Sequence, residues 1–493
     1  MIILVILVLA ACCYWTYWSA GARHLDRATS KLPVLPSLPI LGNALLFTGD
    51  SEKIVQNFNK LAELSYKNKG AAKIWLGPKL YVAISNAEDA KVVLENCLDK
   101  DVVYRFLRPW LGYGLFVAPL NLWKTHRKVL LPVFHNKIVE EYLGVIGKQA
   151  EILTEKLSEQ VENGFFDVLP HITACTLDIV FETAMGERMD IQHGKDTPYL
   201  RARRIVMEIL NMRFFKLWLQ PDWLFNLTSY AKEQTENINL THKFTDEVVL
   251  KRRIEYERNK TQNTIQRSAD GNLPVVLDML FDREIQFTDD QLREHIDSIT
   301  IAGNDTTALV IAYTLVLLGI HQHEQEEVFK EQEAIFGKSK RGATKEDICK
   351  MHYLERTIKE SMRLYSVVPI VARNIDKNLY LPNCGVNLPA NTSVVVGIFA
   401  IHRSKDEWGS DAEEFNPDRF LPENSIDRHS AAFLPFSHGP RNCIGRNFGM
   451  ILTKSIISSI IRTYKIDAKS IGRMKMELLL FPIDGHQIRL TKR

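Results

Sequence analysis

Cysteine is scarce in this sequence, and the cysteines that occur form no recognisable framework. The 493 residues include 7 cysteines, an odd number, scattered without a CxxC pair or a Cys/His zinc spacing. The composition therefore argues against a disulfide-stapled secreted domain and against a structural zinc module. It suits a protein whose bulk lies in a reducing, cytosolic compartment.

An excess of charge of one sign is also missing. The chain has 62 Lys and Arg against 59 Asp and Glu, a formal net charge of +3. No long basic run or nucleic-acid motif occurs, so no nucleic-acid partner is expected. The sequence also lacks an evident GxGxxG dinucleotide-binding pattern. A reaction driven by a nicotinamide cofactor would therefore need electrons from a separate protein.

The N-terminus carries an uncharged, strongly apolar run over residues 2–18. With the next four residues it reaches about the 20 needed to span a bilayer. It ends in aromatic residues suited to a membrane interface and is followed by Arg23, Arg27 and Lys31, which favour a cytosolic location for the rest of the chain. These features predict a transmembrane anchor over residues 1–22. A cleaved signal peptide is the alternative, but it normally has a basic segment before its apolar core.

The rest of the chain predicts a mainly α fold with a smaller β region. Residues 23–43 are basic and then proline-rich, with Pro33, Pro36 and Pro39 at three-residue spacing, which predicts a stiff, extended linker. Residues 73–84 predict a β-hairpin around Gly-Pro. Residues 104–118 lack a clear period and predict a loop, and most of the chain beyond them has helical periodicity. A catalytic domain is expected over residues 44–493.

The sharpest chemical signal is one cysteine in a turn rich in Gly and Pro. Cys443 lies ahead of a long apolar run, and a helix N-terminus near positive charge eases ionisation of a thiol. Gly439 and Gly445 would let the backbone approach a flat macrocycle, and Arg441 could donate to an anionic propionate. A lone cysteine is usually only a small buried hydrophobe. The prediction of a haem ligand therefore rests on the whole pattern.

Residues 436–445 resemble the FxxGxRxCxG motif of the cytochrome P-450 family, with every specified position matched: Phe436, Gly439, Arg441, Cys443 and Gly445. The resemblance implies haem b as the cofactor, Cys443 as the iron ligand, and haem contacts for the other four residues. Phe436 would shield the sulfur from water. A thiolate ligand pushes electron density onto iron and favours O–O cleavage.

A long helix is predicted to start at a capping box, Thr288 with Gln291, and to continue past Leu318. Residues spaced by four share one face of a helix. One such stripe is predicted to face the substrate pocket and the cofactor: Ser298, Ala302, Thr306 and Val310.

Residues 302–307 of this helix read AGNDTT. Small Ala302 leaves room for a planar cofactor, and the Thr306 hydroxyl can donate to the Ala302 carbonyl. Asp305 and Thr306 supply an acid and an alcohol, the groups needed to deliver protons to reduced oxygen. Alone, Gly and Asp merely weaken a helix. With the cysteine motif, the string resembles the AGxDTT motif of the family, which implies catalytic roles for Asp305 and Thr306 and a cofactor contact at Ala302.

Trp123 and Arg127 lie one helical turn apart, and a neutral donor beside a cation suits a carboxylate. An ordinary amphipathic helix would also contain such a pair. The pair matches the WxxxR position of the family, which implies that both residues bind a haem propionate, as does Arg373 further along the chain.

Glu360 and Arg363 form an ExxR pattern, common by chance, and Arg419 follows in FNPDRF. The resemblance to the ExxR and PxRF motifs implies a buried network that holds the cysteine loop. Residues near the ExxR helix and in a late turn are expected to line an apolar substrate pocket: Val367, Val368, Ile370 and Phe481.

Three stretches resemble the microsomal family-four clan, residues 123–135, 317–329 and 354–369. Many members carry, in place of Ala302, a glutamate that can become ester-linked to haem. Its absence here predicts non-covalent haem.

The family resemblance implies a monooxygenase at the endoplasmic reticulum membrane, with its catalytic domain on the cytosolic side. It would insert one oxygen atom of O2 into an apolar small molecule such as a fatty acid, terpenoid, hormone or xenobiotic. NADPH would supply electrons through a separate NADPH-cytochrome reductase, and a b-type cytochrome is a further candidate donor. Two alternatives remain: a haem-thiolate isomerase or dehydratase acting on peroxides, and a non-enzymatic haem-binding membrane protein.

Overall fold

The structure is a computed structural model, and it describes residues 23–38, 41–261, 274–282 and 287–493. The predicted anchor over residues 1–22 lies outside the described residues. The chain forms two compact units. Among the described residues, unit 1 comprises those up to Val102, Val368–Glu413 and Arg428–Asn442, and unit 2 comprises those of Val103–Val367, Glu414–Asp427 and Cys443–Arg493.

Helices dominate, and the strands are short, so the predicted mainly α architecture with a smaller β region is confirmed. The α-helices in chain order are α1 (Ser51–Tyr66), α2 (Ala87–Asn96), α3 (Arg108–Leu111), α4 (Leu120–Leu130), α5 (Asn136–Glu141), α6 (Leu143–Ser158), α7 (Leu169–Val180), α8 (Pro198–Phe215), α9 (Asp222–Phe225), α10 (Ser229–Thr261), α11 (Val276–Phe281), α12 (Asp289–Ile320), α13 (Gln322–Phe336), α14 (Lys345–Lys350), α15 (His352–Leu364), α16 (Ile398–Ile401), α17 (Lys405–Trp408) and α18 (Arg446–Thr463).

The strands are β1 (Ala71–Leu76), β2 (Lys79–Ile84), β3 (Phe166–Asp167), β4 (Val371–Asn374), β5 (Leu379–Leu381), β6 (Val386–Leu388), β7 (Ser393–Val396), β8 (Tyr464–Asp467), β9 (Met474–Met476), β10 (Leu480–Pro482) and β11 (Gln487–Lys492). Unit 1 contains a four-stranded sheet in the order β1-β2-β7-β4 and the pair β5-β6. Unit 2 contains the sheet β3-β11-β8 and the pair β9-β10.

The predicted hairpin is confirmed in unit 1, where β1 and β2 pair antiparallel from Ala71 opposite Ile84 to Leu76 opposite Lys79. Gly77 in the turn has a φ of +59°, a conformation that glycine adopts without steric cost. On the other edge of β2, β7 pairs parallel, and β4 then pairs antiparallel with β7. This order places Arg373 of β4 opposite Val394 in the sheet.

The proline-rich stretch contacts the sheet of unit 1. The Lys73 amide donates to the Pro33 carbonyl at 2.8 Å. The buried side chain of Asn43 donates to the Leu35 carbonyl at 2.9 Å and accepts from the Trp75 amide at 2.9 Å. Extended proline-rich backbone cannot form its own helix. Here its carbonyls are instead satisfied by β1 and by Asn43, so this part of the sequence is packed against the unit.

Helix α12 is the central helix of unit 2. It begins at the predicted capping box, in which the Thr288 side chain accepts from the Gln291 amide and the Gln291 side chain accepts from the Thr288 amide. Residues 307–319 are buried, apart from Val310. The helix packs against α7, α10, α15 and α18. Within the described ranges it alone is long and apolar enough to cross a membrane, and it is mostly buried, as a core helix is.

The stretch predicted as a loop, residues 104–118, is partly helical. A 3-10 turn ends at Leu107, and α3 comes next, with Pro109 in its first turn. Proline suits the first turn of a helix because the amide it lacks would be unpaired there. Trp110 and Leu111 are both buried, and they anchor this turn in a hydrophobic cluster. Periodicity could not reveal a helix of one turn.

Candidate active site

Cys443 lies at the start of α18 in unit 2. Its neighbour Gly445 caps the helix, and the Gly445 amide donates to the sulfur. The residue is exposed. Desolvation by the surrounding protein raises the pKa of the Cys443 thiol, while the Gly445 amide and the cations Arg127 and Arg446 lower it. A metal cation bound to the sulfur would favour the thiolate further. The site therefore offers a sulfur ligand on an exposed residue, with two cations nearby.

The two glycines of the cysteine motif differ in the space that their surroundings leave for a side chain. Gly439, in unit 1, has a φ of +71°, and a Cβ there would lie 2.4 Å from the Leu94 carbonyl oxygen. It is therefore required for packing on α2, a reason that the motif does not reveal. A Cβ on Gly445 would meet only a ring atom of Phe134, at 4.0 Å. Close approach of a cofactor at Gly445 thus stays a prediction.

Phe436 belongs to unit 1 and is half-buried. The next residue, Ser437, has a φ of +60°, which is uncommon for a side chain other than glycine. The turn after Phe436 is therefore held in a conformation of higher energy.

Trp123 and Arg127 share one face of α4, as their spacing predicts. Trp123 is buried, and the Arg127 guanidinium carbon lies 5.7 Å from the centre of its ring. Burial lowers the pKa of Arg127, and the negative charge of the Cys443 thiolate raises it. Arg127 thus interacts electrostatically with the candidate iron ligand, in a position suited to an anionic cofactor.

Residues 302–307 of α12, predicted to deliver protons to reduced oxygen, form the oxygen side of the site. The predicted hydrogen bond among them is present: the Thr306 hydroxyl donates to the Ala302 carbonyl at 2.6 Å. Ala302 is exposed, and Thr306 and Val310 are half-buried, so these three of the predicted stripe are accessible. Ser298 differs. It is buried, and the backbone of Gly114 lies over it, since a Cβ on Gly114 would be 2.3 Å from the Ser298 hydroxyl oxygen.

Asp305 is held by partners that the sequence does not reveal. Its carboxylate forms a 2.6 Å ion pair with Arg203 of α8 and accepts from the Asn304 side chain at 2.9 Å. The Thr176 hydroxyl donates to the Asn304 side chain at 2.6 Å, which anchors the amide in turn. The acid beside Thr306 is therefore fixed in position by α7 and α8.

Unit 1 groups three basic side chains, and one of them, Lys100, belongs to no predicted motif. Arg373 and Arg441 are buried, and the Arg441 guanidinium donates to the Leu98 carbonyl at 2.7 Å. Lys100 forms a backbone bridge with Arg373. Burial, and then the positive charges of Arg373 and Arg441, hold the pKa of Lys100 well below its usual range. Two arginines with a lysine beside them favour a bound anion such as a propionate, because an anion would offset the repulsion among the three groups. Lys100 was not predicted, because its neighbours are assembled only by folding.

The predicted contacts among Glu360, Arg363 and Arg419 are present in unit 2. Arg363 donates twice to the Glu360 carboxylate, at 2.7 and 2.8 Å, and both side chains are fully buried. Arg419 lies 3.4 Å from the same carboxylate. The backbone joins the network through the Asn416 amide, which donates to Glu360 at 2.9 Å. The carboxylate is thus satisfied on both oxygens.

The predicted pocket residues divide between the units. In unit 2 the Leu480 amide donates to the Val367 carbonyl at 3.1 Å, which brings Val367 next to the β9-β10 hairpin that carries Phe481. Val368 and Ile370 are half-buried residues of unit 1. Their role in substrate binding stays a prediction.

Comparison with known proteins agrees with this chemistry. The family model described as Cytochrome P450 matches residues 32–490. The chain belongs to the cytochrome P450 family. It is 34% identical over 488 residues to cytochrome P450 4c3 of Drosophila melanogaster, a match that covers 95% of this chain and 91% of that relative. It is 35% identical over 485 residues to cytochrome P450 4V2 of Homo sapiens, covering 96% and 91%. These relatives place this P450 in family four.

Solved structures confirm the fold. The crystal structure of the cytochrome P450DA heme domain superposes with a TM-score of 0.80 at 22% identity, and covers 94% of this chain and 98% of that one. Since the family consists of haem-dependent monooxygenases, this P450 is an oxidoreductase with haem as its cofactor. The donor set of unit 2 fits that cofactor: Cys443, an exposed residue at a helix start, offers a sulfur ligand, and the cation Arg127 lies near it.

Proposed function

We propose that this P450 inserts one oxygen atom of O2 into an apolar small molecule. Its haem b would be coordinated by Cys443 and would have no ester link to the protein. The observation that carries the proposal is the exposed residue Cys443 at the start of α18, with the Gly445 amide donating to its sulfur and Arg127 nearby. When bound, thiolate-ligated haem supplies oxygen activation.

Each group of residues has a separate task in this proposal. Trp123 and Arg127 would bind a haem propionate, as would Arg373 and Arg441, with Lys100 beside Arg373. Phe436 would cover the sulfur, and Gly445 would allow the cofactor to approach. Glu360, Arg363 and Arg419 would hold the chain around Cys443 rigid.

Proton delivery is assigned to Thr306 and Asp305. The Thr306 hydroxyl, oriented by its 2.6 Å hydrogen bond to Ala302, would hold a proton at Oγ1 beside the accessible surface of Ala302. Asp305, held by Arg203, would relay the proton that replaces it. The accessible, small side chain of Ala302 leaves the space in which oxygen and substrate would meet.

The substrate is proposed to be a fatty-acid-like chain, ahead of terpenoids, hormones and xenobiotics. The apolar side chains assigned to the pocket support an apolar substrate, namely Val310, Val367, Val368, Ile370 and Phe481, and the family-four relatives support a chain-like one. A panel of fatty acids, terpenoids, steroids and drugs should be titrated into the ferric protein. The class that shifts the Soret band to shorter wavelength at the lowest concentration identifies the substrate class.

The electrons are proposed to come from NADPH through a separate NADPH-cytochrome reductase, with a b-type cytochrome as a second donor. Exposed Lys124 and Lys128 on α4 form a small basic patch that suits an acidic partner. Residues 1–22 are proposed as the membrane anchor, with the catalytic part on the cytosolic side of the endoplasmic reticulum. Mixing the protein with reductase and NADPH should give substrate-dependent NADPH oxidation.

A reduced CO difference spectrum tests the assignment of Cys443. The wild type should show the red-shifted Soret band of thiolate ligation, and Cys443→Ala should lose it. A band without that shift in the wild type would indicate a haem protein of another kind. Turnover of a peroxide substrate without NADPH or reductase would instead support an isomerase or dehydratase.

A further inference from the structure

A short loop of unit 2, residues 112–117, lies directly on α12. Gly112 has a φ of +49°, and a Cβ there would come within 1.9 Å of a Glu294 carboxylate oxygen. A Cβ on Gly114 would lie 2.3 Å from the Glu294 carbonyl oxygen and from the Ser298 hydroxyl oxygen. All three distances are shorter than any normal contact between heavy atoms. The two glycines therefore allow the loop backbone to touch the helix with no side chain between them.

Two amides of this loop donate to side chains of α12. The Tyr113 amide donates to the Glu294 carboxylate. The Leu115 amide donates to Nδ1 of His295 at 3.2 Å. An imidazole accepts at Nδ1 only when that nitrogen carries no proton, so His295 is neutral with its proton on Nε2. Burial, with a smaller contribution from His126, lowers the pKa of His295 to about 3, which keeps the acceptor available at physiological pH.

The ring of His295 is fixed by its neighbours. His295 is fully buried, and its ring centre lies 4.7 Å from that of His126, with the two planes at 84°. Phe287 packs against the same ring at 4.7 Å. In a close-packed interior such a side chain keeps one rotamer. The imidazole is therefore held with Nδ1 toward Leu115.

The loop packs in the same hydrophobic cluster as a residue next to the oxygen side of α12. Val117 packs in a hydrophobic cluster with Leu111 and with Val206 of α8. Ile301, the residue before Ala302, packs against the same cluster. Any movement of residues 112–117 would therefore disturb the packing around Ile301, the residue next to Ala302.

We propose that His295 is a positioning residue, and that its hydrogen bond to Leu115 holds residues 112–117 on α12 and so sets which substrate shapes reach the oxygen side. The proposal rests on the haem site proposed above. It predicts that weakening this hydrogen bond relaxes shape selectivity without changing haem ligation.

The test uses the full-length, haem-loaded protein with His295→Ala. Hydrogen–deuterium exchange of the Leu115 amide should rise by about threefold to tenfold, the range for loss of one hydrogen bond. Two amines that ligate ferric haem, 1-octylamine and 1-adamantylamine, should be compared through their Soret shifts. The ratio of their dissociation constants should move toward one by about threefold. His295→Asn, whose amide oxygen can take the place of Nδ1, should restore both measurements to within about twofold of wild type.

Gly114→Ala tests the same contact from the opposite side, because its Cβ would overlap Glu294 and Ser298. It should reproduce both changes while His295 is intact, and it carries the test if His295→Ala fails to fold. Gly144→Ala is the matched control, since a Cβ there would meet no atom within 4 Å beyond its chain neighbours and its own helix backbone. An unchanged amine ratio in both test variants, with or without faster exchange, would overturn the proposal. A wild type that binds no haem would instead defeat the proposed function, while the exchange measurement would still report on the loop.

Discussion

Arg203 and Asp305 form an ion pair of 2.6 Å between α8 and α12, with side chains only 10% and 19% exposed. The pair fixes the carboxylate that precedes Thr306, the residue whose hydroxyl donates to Ala302. Since Asp305 also accepts from Asn304, its position is determined by several elements of unit 2. The acid of the oxygen side is therefore part of the packing of the unit as well as a candidate in proton delivery.

Replacing Arg203 by Leu should destabilise the protein by about 3 kcal/mol, because it leaves a buried carboxylate without its main partner. Adding Asp305→Asn should recover most of that loss, and a double-mutant cycle by urea unfolding measures the coupling. Arg201→Leu on the same helix is the control, since the Arg201–Asp196 pair is more than half exposed and should cost under about 1 kcal/mol. Additive effects of the two changes would contradict the coupling.

Glu360→Ala should give little haem-bound protein. The change removes the acceptor shared by Arg363 and Arg419, which strands buried positive charge at a cost of about 3–5 kcal/mol. The ratio of Soret to protein absorbance after purification measures the effect. Glu63→Ala, at an exposed position of α1, is the matched control. Normal haem content in Glu360→Ala would show that the network is not needed to form the haem site.

Because of Asp297, the free energy of unfolding should fall as the pH rises from about 4 to 8. Its side chain is buried in α12, Oδ1 accepts from Thr245 at 2.7 Å, and His242 lies 3.9 Å from Oδ2. Burial raises the pKa of Asp297 to about 8, and the Thr245 hydrogen bond and Arg293 lower it, while Asp246 and Glu294 raise it. Between the unfolded pKa near 4 and the folded value, the unfolded state loses its proton while the folded state keeps it. Each pH unit in that window therefore costs up to about 1.4 kcal/mol.

Urea unfolding of the wild type and Asp297→Asn at pH 5.5, 6.5 and 7.5 measures this dependence. The asparagine variant keeps the shape without the titrating group, so it should gain stability relative to wild type as the pH rises. Glu236→Gln, an exposed acid of α10, should run parallel to wild type. If the free energy of unfolding of Asp297→Asn also ran parallel to that of the wild type across this pH range, the raised pKa of Asp297 would be refuted.

Acidified organic solvent should extract the haem from the wild type, because Ala302 offers no carboxylate for an ester link. Ala302 is exposed on the oxygen side, so a glutamate there would project into the same space. Ala302→Glu should therefore retain part of its haem on the protein after turnover, while Ala302→Gln should not. Mass spectrometry of the extracted polypeptide measures the retained fraction. Haem that resists extraction from the wild type would disprove the non-covalent assignment.

The family, the mainly α architecture and several local features could be predicted from the amino-acid sequence. The capping box of α12, the hairpin of β1 and β2, and the hydrogen bond from Thr306 to Ala302 each depend on residues within a few positions of one another. Such contacts arise from helix and turn geometry, which a local pattern encodes. The motif around Cys443 is similar, because a helix start after a cysteine already defines its amide and dipole environment.

Which residues distant in sequence contact one another is seen only in the tertiary structure. Arg203 is about 100 residues from Asp305, and Lys100 is far in sequence from Arg373 and Arg441. The same holds for Gly114, which covers Ser298 and removes that residue from the accessible stripe. No periodicity marks these residues, because their partners are brought close by packing of separate elements and by the need to satisfy buried charges and amides. The residues that would ligate haem can thus be recognised from local sequence, whereas their positions depend on the folded chain.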